Sequence, residues 1–468
     1  MAGNQLNMSK PHYKSVSAYL PLVFFLVLVS GTLAPAAAAE SEDKNGIYER
    51  DETEEYREVI KKLQTDHGSV DPRLSDPLLG LAHVLKNRGA YSEAVEVFKR
   101  AMHIKHVNEG LYDIDQIAIL EDIIECNAAL QNWDEVDDEY QYLLWVFEKA
   151  YPEPVPARLK AIDKAIGWHL AAYNLSPETL PAQHLITARD LNESAVEVAE
   201  RLYGKSSHEV ASRLYKLLLT EYFIAVGIQR GGPNGAALTD SLLIMNRNPS
   251  YYLTSRKLVS KIYLKGLKLL KRIITIYTDN GETESQGMAM VYLADWNLLF
   301  NKQRAAFRLY REAYDKLTAG GVDITSIDNY FSEPVLLPLK KFSASPDPDI
   351  LEYKPVRFTK TSTEPASLEH MKKNPFVTWS DSLPGLVFPA HANMNLQQST
   401  KNSSAYASFT VSKKGLAENI RIIDYRPHNL ATRKRAYDML WSMQFRPRLV
   451  TGRAVSSGNY LLHYILSE

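Results

Sequence analysis

His103 and His106 stand three residues apart, a spacing that sets two imidazoles on one helical face, where they could share a metal. The sequence supplies them no third ligand. Asp113/Asp115 and Asp347/Asp349 give too few oxygens for calcium, which takes six or more. Cys126 is the single cysteine. It excludes an intrachain disulfide and, with no histidine partner in evidence, is expected as a small core residue. No Gly-x-x-x-x-Gly-Lys-Ser/Thr loop, His-Glu-x-x-His or Gly-x-Ser-x-Gly occurs, so the phosphate, zinc-peptidase and serine-hydrolase motifs are missing. No catalytic, cofactor-binding or metal residue is nominated, no cofactor is expected, and the chain reads as a non-enzyme. The remaining candidate is a basic stripe. Arg256, Lys257, Lys261, Lys265, Lys268, Lys271 and Arg272 fall at helical spacing opposite Leu258, Ile262, Leu269 and Ile273. A solvated helix face is expected there, with an anionic membrane or acidic segment as the functional alternative.

The elements that would carry such residues are set by pattern. The 468 residues suffice for two or three domains, and 45% apolar with 23% charged residues is an ordinary globular composition. A net charge of −1 gives no pull toward nucleic acid, and no such partner is expected. The charge is unevenly spread. Residues 40–150 hold 26 Asp/Glu against 12 Lys/Arg, whereas 404–468 hold 10 basic and 4 acidic residues. Oppositely charged segments of this kind can attract each other or select opposite partners.

The N-terminus reads as an export signal. Lys10 and Lys14 precede an apolar run, Tyr19 to Val29, and small residues follow at Ala34–Ala39. A positive end, a short apolar core and an Ala-x-Ala site make a secretory signal peptide. Cleavage is expected after Ala39, leaving Glu40 first and placing the protein in the periplasm. The alternative is an uncleaved inner-membrane anchor, because Ser15 to Ala39 carries no charge.

Residues 40–325 read as successive helices, with apolar residues recurring at three and four. Leu78, Leu81, Ala82 and Leu85 make one face, Gly89–Ala90–Tyr91 a turn, and Ala94, Phe98 and Ala101 the next face. Met290, Leu293 and Ala294, a turn at Asn301–Lys302, then Ala306, Tyr310 and Ala313 repeat it. Gln116–Leu143 and Glu193–Val226 are weaker copies. This resembles the tetratricopeptide repeat, in which small residues let two antiparallel helices approach. Arg230-Gly-Gly-Pro-Asn-Gly235 is expected as a loop. Nine of the 23 prolines fall between Ser326 and Ser404, so 326–404 is expected as a largely extended linker.

From Ala405 the period changes to two. Ala407, Phe409 and Val411 alternate with Tyr406, Ser408 and Thr410, Lys413-Lys414-Gly415 offers a hairpin turn, and Glu418–Tyr425 returns. Asn429 is a plausible cap for a helix burying Ala436, Leu440 and Met443. Phe445-Arg446-Pro447 is expected to end that helix, and Tyr460–Leu466 is the final strand. The run Phe409-Thr-Val-Ser-x-x-Gly415, the Ile420-x-Ile422 strand, Phe445-Arg446-Pro447 with Gly452, and the closing strand together resemble the C-terminal domain of the TonB family over about 405–468.

The fold expected is mostly α: a tetratricopeptide-like helical solenoid (40–325) followed by a small α+β module of ββαβ order (405–468). The TonB resemblance implies binding of an extended peptide from an outer-membrane receptor by strand addition at the final strand. On that edge Tyr460, Leu462 and Tyr464 form one side-chain row, and His463 faces the other way. A second copy of the chain, pairing through the same strand, is a further candidate partner. TonB transducers carry polar residues in a retained N-terminal helix and a Pro-rich spacer. Here Ser15–Ala39 has no histidine or acid, and a repeat domain stands in the spacer's place. The resemblance therefore implies a periplasmic protein-binding adaptor of the Gram-negative envelope, with a membrane-anchored energy transducer as the alternative.

Overall fold

The computed structural model describes residues 52–151, 153–175, 181–245, 254–347, 356–357 and 403–466. The expected export signal, Asp349 and most of the expected linker lie outside the described residues.

Helices follow one another in chain order: α1 (Glu52–His67), α2 (Ser75–Asn87), α3 (Tyr91–Asn108), α4 (Gln116–Leu130), α5 (Trp133–Ala150), α6 (Pro156–Leu175), α7 (Pro181–Tyr203), α8 (His208–Arg230), α9 (Gly232–Met245), α10 (Ser255–Asp279), α11 (Thr283–Leu299), α12 (Gln303–Ala319) and α13 (Ile324–Tyr330). From α1 to α8 each packs on the next, α10 then takes the place beside α8, and α11 and α12 follow it. This is a mostly helical array of antiparallel hairpins. The small residues read as contact positions are contact positions: Ala82, Ala94, Ala101, Ala294, Ala306 and Ala313 are completely buried. Positive φ closes the turns at Gly89 (79°), Gln131 (61°) and Asn301 (59°), the left-handed caps that end helices without leaving carbonyls unpaired.

The run Arg230–Gly235 differs from the expected loop. Gly231 breaks the chain at φ 71°, but α9 begins at Gly232 with Pro233 in its first turn. Proline is accommodated there because the missing N–H has no helical partner in any case.

The apolar core of the array falls into several clusters. The largest cluster joins α6–α8 and α10–α12 to Ile327, Tyr330, Phe331, Val335, Leu337 and Leu339. Residues 326–347, expected as extended linker, thus contribute a short helix and buried side chains. Tyr215 anchors this stretch by donating its hydroxyl to the Leu339 carbonyl at 2.7 Å.

Two short strands precede the C-terminal sheet, β1 (Val335–Leu336) and β2 (Val356–Arg357); then come β3 (Ser403–Val411), β4 (Ala417–Arg426), helix α14 (Leu430–Ser442), β5 (Phe445–Arg446), β6 (Arg448–Val450), β7 (Arg453–Val455) and β8 (Ser457–Leu466). The main sheet has the order β2-β8-β3-β4, with all three pairings antiparallel. Asn429 caps α14, its side chain accepting from the Thr432 N–H at 2.7 Å. The helix stops at Ser442, and Met443 is already extended (ψ 138°). Its end therefore precedes Pro447, and Phe445-Arg446 forms a strand instead.

Candidate functional site

The C-terminal sheet is closed by rings. Phe409 lies 5.4 Å from Phe445 and 6.0 Å from Tyr460, centroid to centroid, and Val411, Ala417, Leu440 and Leu336 complete this core. Leu336 comes from β1, which precedes the C-terminal sheet in the chain. Gly415 makes the β3–β4 turn at φ 75°, and a Cβ there would fall 2.0 Å from the Phe445 carbonyl oxygen. Phe445 in turn donates its N–H to the Gly415 carbonyl at 2.8 Å. Only glycine satisfies both the sign of φ and this approach.

Tyr460 is completely buried, and its hydroxyl donates to Glu333 Oε2 at 2.8 Å. Its side chain belongs to the core, and only its backbone reaches the strand edge. Leu462, His463 and Tyr464 register against Ala407, Tyr406 and Ala405 of β3; their side chains lie outside the described residues. On the opposite side β8 pairs with β2 at two positions, Val356↔Leu461 and Arg357↔Tyr460. Among the described residues, no strand lies along that outer side at 462–466.

The stretch after α14 is fastened to the preceding chain at several points. β1 pairs with β5 in the register Val335↔Arg446 and Leu336↔Phe445, and Leu337 donates its N–H to the Gln444 carbonyl at 2.9 Å. Leu449 donates to the Phe331 carbonyl at 3.0 Å. Arg446 carries the strongest contact. Its guanidinium forks onto Asp295 of α11, Nε to Oδ1 at 2.9 Å and Nη2 to Oδ2 at 2.5 Å. Tyr310 donates to the same carboxylate at 2.6 Å, and the Tyr330 ring lies 5.2 Å from the guanidinium carbon. Burial works against the charge, but Asp295 outweighs it and holds the Arg446 pKa well above its ordinary value. A planar bidentate match of this kind is the geometry in which a buried ion pair is best satisfied. The reading of the sequence missed this pair. Its only signal is Asp295, the one charged residue of the apolar run Met288–Phe300; Arg446 shares Met443–Val450 with Arg448 and is not singled out.

The other nominated residues are dispersed. His106 bonds Gln116 Oε1 at 2.7 Å while His103 is exposed, so the pair does not converge. Asp113 and Asp115 are joined by Glu109. Cys126 is fully buried, and burial pushes its thiol pKa up to about 11. The basic stripe on α10 is divided. Arg256, Lys257, Lys261, Lys268 and Lys271 are exposed, whereas Lys265 bonds Glu221 at 2.6 Å and also Glu193, and Arg272 bonds Glu200. Burial opposes the Lys265 charge, but Glu221 and Glu193 together raise its pKa. A cleft of about 540 Å³ lies beside Arg256, Tyr263, Phe300 and Lys302, with the Lys302 ammonium 5.7 Å from the Tyr263 ring centre.

No family model matches the chain, and no curated protein does. Among solved structures, it is similar to a Podosopora anserina putative kinesin light chain with nearly identical TPR-like repeats, at 13% identity and a TM-score of 0.31, over 53% of this chain and 96% of that one. It is also similar to BtubC (BKLC) from P. vanneervenii, at 13% identity and a TM-score of 0.27, over 59% of this chain and 93% of that one. The functional reading rests on the geometry of this chain itself.

Proposed function

We propose that this protein is a non-enzymatic protein-binding scaffold of the cell envelope, exported and cleaved after Ala39. Its helical array holds one partner, and its TonB-like C-terminal sheet takes an extended segment of another, an envelope or outer-membrane protein, along the outer side of β8. The observation that carries this reading is the pairing of β2 with β8. The chain's own extended segment already lies antiparallel on this edge, so the edge accepts a strand. Backbone hydrogen bonds would supply the affinity and alternate side chains the selectivity. His463 and its neighbours remain the nominated contacts, through their backbone first.

A photoreactive residue at position 463, introduced in cells, tests the site. A cross-link to one outer-membrane protein, lost when Leu462→Pro removes a backbone donor from the strand, is the expected result. Cross-linking that survives the proline would remove strand addition from the account. Sequencing the N-terminus of the protein isolated from cells separates this reading from a membrane-held transducer: the adaptor starts at Glu40, and the transducer retains 15–39.

A further inference from the structure

Three successive helices bring Asp137 of α5, His169 of α6 and His184 of α7 to one point. The two Nδ1 atoms lie 3.1 Å apart. Asp137 Oδ1 is 3.8 Å from Nδ1 of His169, and Oδ2 is 3.7 Å from Nδ1 of His184. His169 is only 4% exposed. A zinc ion with bonds of about 2.0–2.1 Å sets its tetrahedral ligand atoms roughly 3.3 Å apart, and the observed separations bracket that value. A hydrogen bond between the two Nδ1 atoms accounts for the ring pair, but not for the carboxylate beside it. The carboxylate is too far from either ring nitrogen to accept from it, yet it faces both. Trp168 Nε1 donates to Asp137 Oδ1, the kind of outer contact that fixes a ligating carboxylate's orientation.

We propose that Asp137, His169 and His184 form a zinc site. Two imidazoles and a carboxylate suit this ion, and three protein ligands leave the fourth position to a solvent molecule. The site is independent of the C-terminal sheet and of its partner. One ion there would be held in common by α5, α6 and α7.

The full chain, stripped with a chelator and titrated with zinc chloride by calorimetry, is expected to take up one equivalent. Loss of even an outer-shell partner weakens a metal site about 10–100-fold, so His184→Ala and the near-isosteric Asp137→Asn should each weaken binding by at least that much. His103→Ala, at an exposed position, should bind as the unaltered chain does. Cobalt in place of zinc should give the visible bands of a tetrahedral site in the unaltered chain and lose them in both ligand variants. Far-ultraviolet dichroism checks that each variant is folded, and Asp137→Asn stands if His184→Ala is not. No saturable uptake by the full chain, or equal uptake by folded Asp137→Asn, would overturn the proposal.

Discussion

Arg446 of strand β5 and Asp295 of helix α11, 151 residues apart, meet as a buried two-point ion pair. Their side chains are 1% and 6% exposed. Removing one partner leaves a desolvated charge without its counter-ion, which costs about 3–5 kcal/mol. Replacing both by apolar residues of similar volume is often neutral. Arg446→Met and Asp295→Leu should therefore each lower the urea midpoint strongly, and the double variant should recover part of the loss, since the buried Tyr310 hydroxyl still lacks its acceptor. Additive losses in the double-mutant cycle would show that the two residues act separately.

Gly266 lies under the indole of Trp296. A Cβ built there would fall 2.1 Å from the Trp296 ring, and Trp296 is held by donating its Nε1–H to the Tyr263 carbonyl at 3.0 Å. Helix propensity alone favours alanine over glycine by about 1 kcal/mol, whereas overpacking costs about 1–3 kcal/mol. Gly266→Ala is thus expected to destabilise by up to about 2 kcal/mol, read from chemical denaturation. A stabilised variant would mean that α10 and α11 are not in this close contact.

Cys126 is shielded in the core shared by α1–α4. Burial disfavours the thiolate, and with the pKa raised to about 11 the reactive form is scarce at neutral or mildly alkaline pH. A thiol reagent at about pH 8 should label the folded chain at least about tenfold more slowly than the chain in denaturant. Equal rates would place Cys126 at an accessible position.

The helical part was legible because its signal is local. In α2–α3 and α11–α12, alanines and an aromatic recur at the contact period, so the buried face could be read directly from Leu78–Ala101 and Met290–Ala313. The hairpin at Lys413–Gly415 was legible for the same reason, since a glycine with positive φ between alternating runs is a local requirement. Gly232-Pro-Asn-Gly235 misled, because proline both breaks helices and starts them, and the choice depends on what α9 packs against. Asp295 with Arg446, and Asp137 with His169 and His184, left no periodic trace. Their partners come from elements far apart in the chain or on separate helices, so only the packed structure brings them together.

The pairing of Val335–Leu336 with Phe445–Arg446 has an evolutionary consequence. The stretch that looks like a portable module, 405–468, takes a strand and a core leucine from before residue 337. A recombination event that moved only 405–468 would strand Arg446 without its acid and Phe445 without Leu336. The heritable block is therefore longer than the recognisable one, and substitutions at 295 and 446 should be found to change together as such chains diverge.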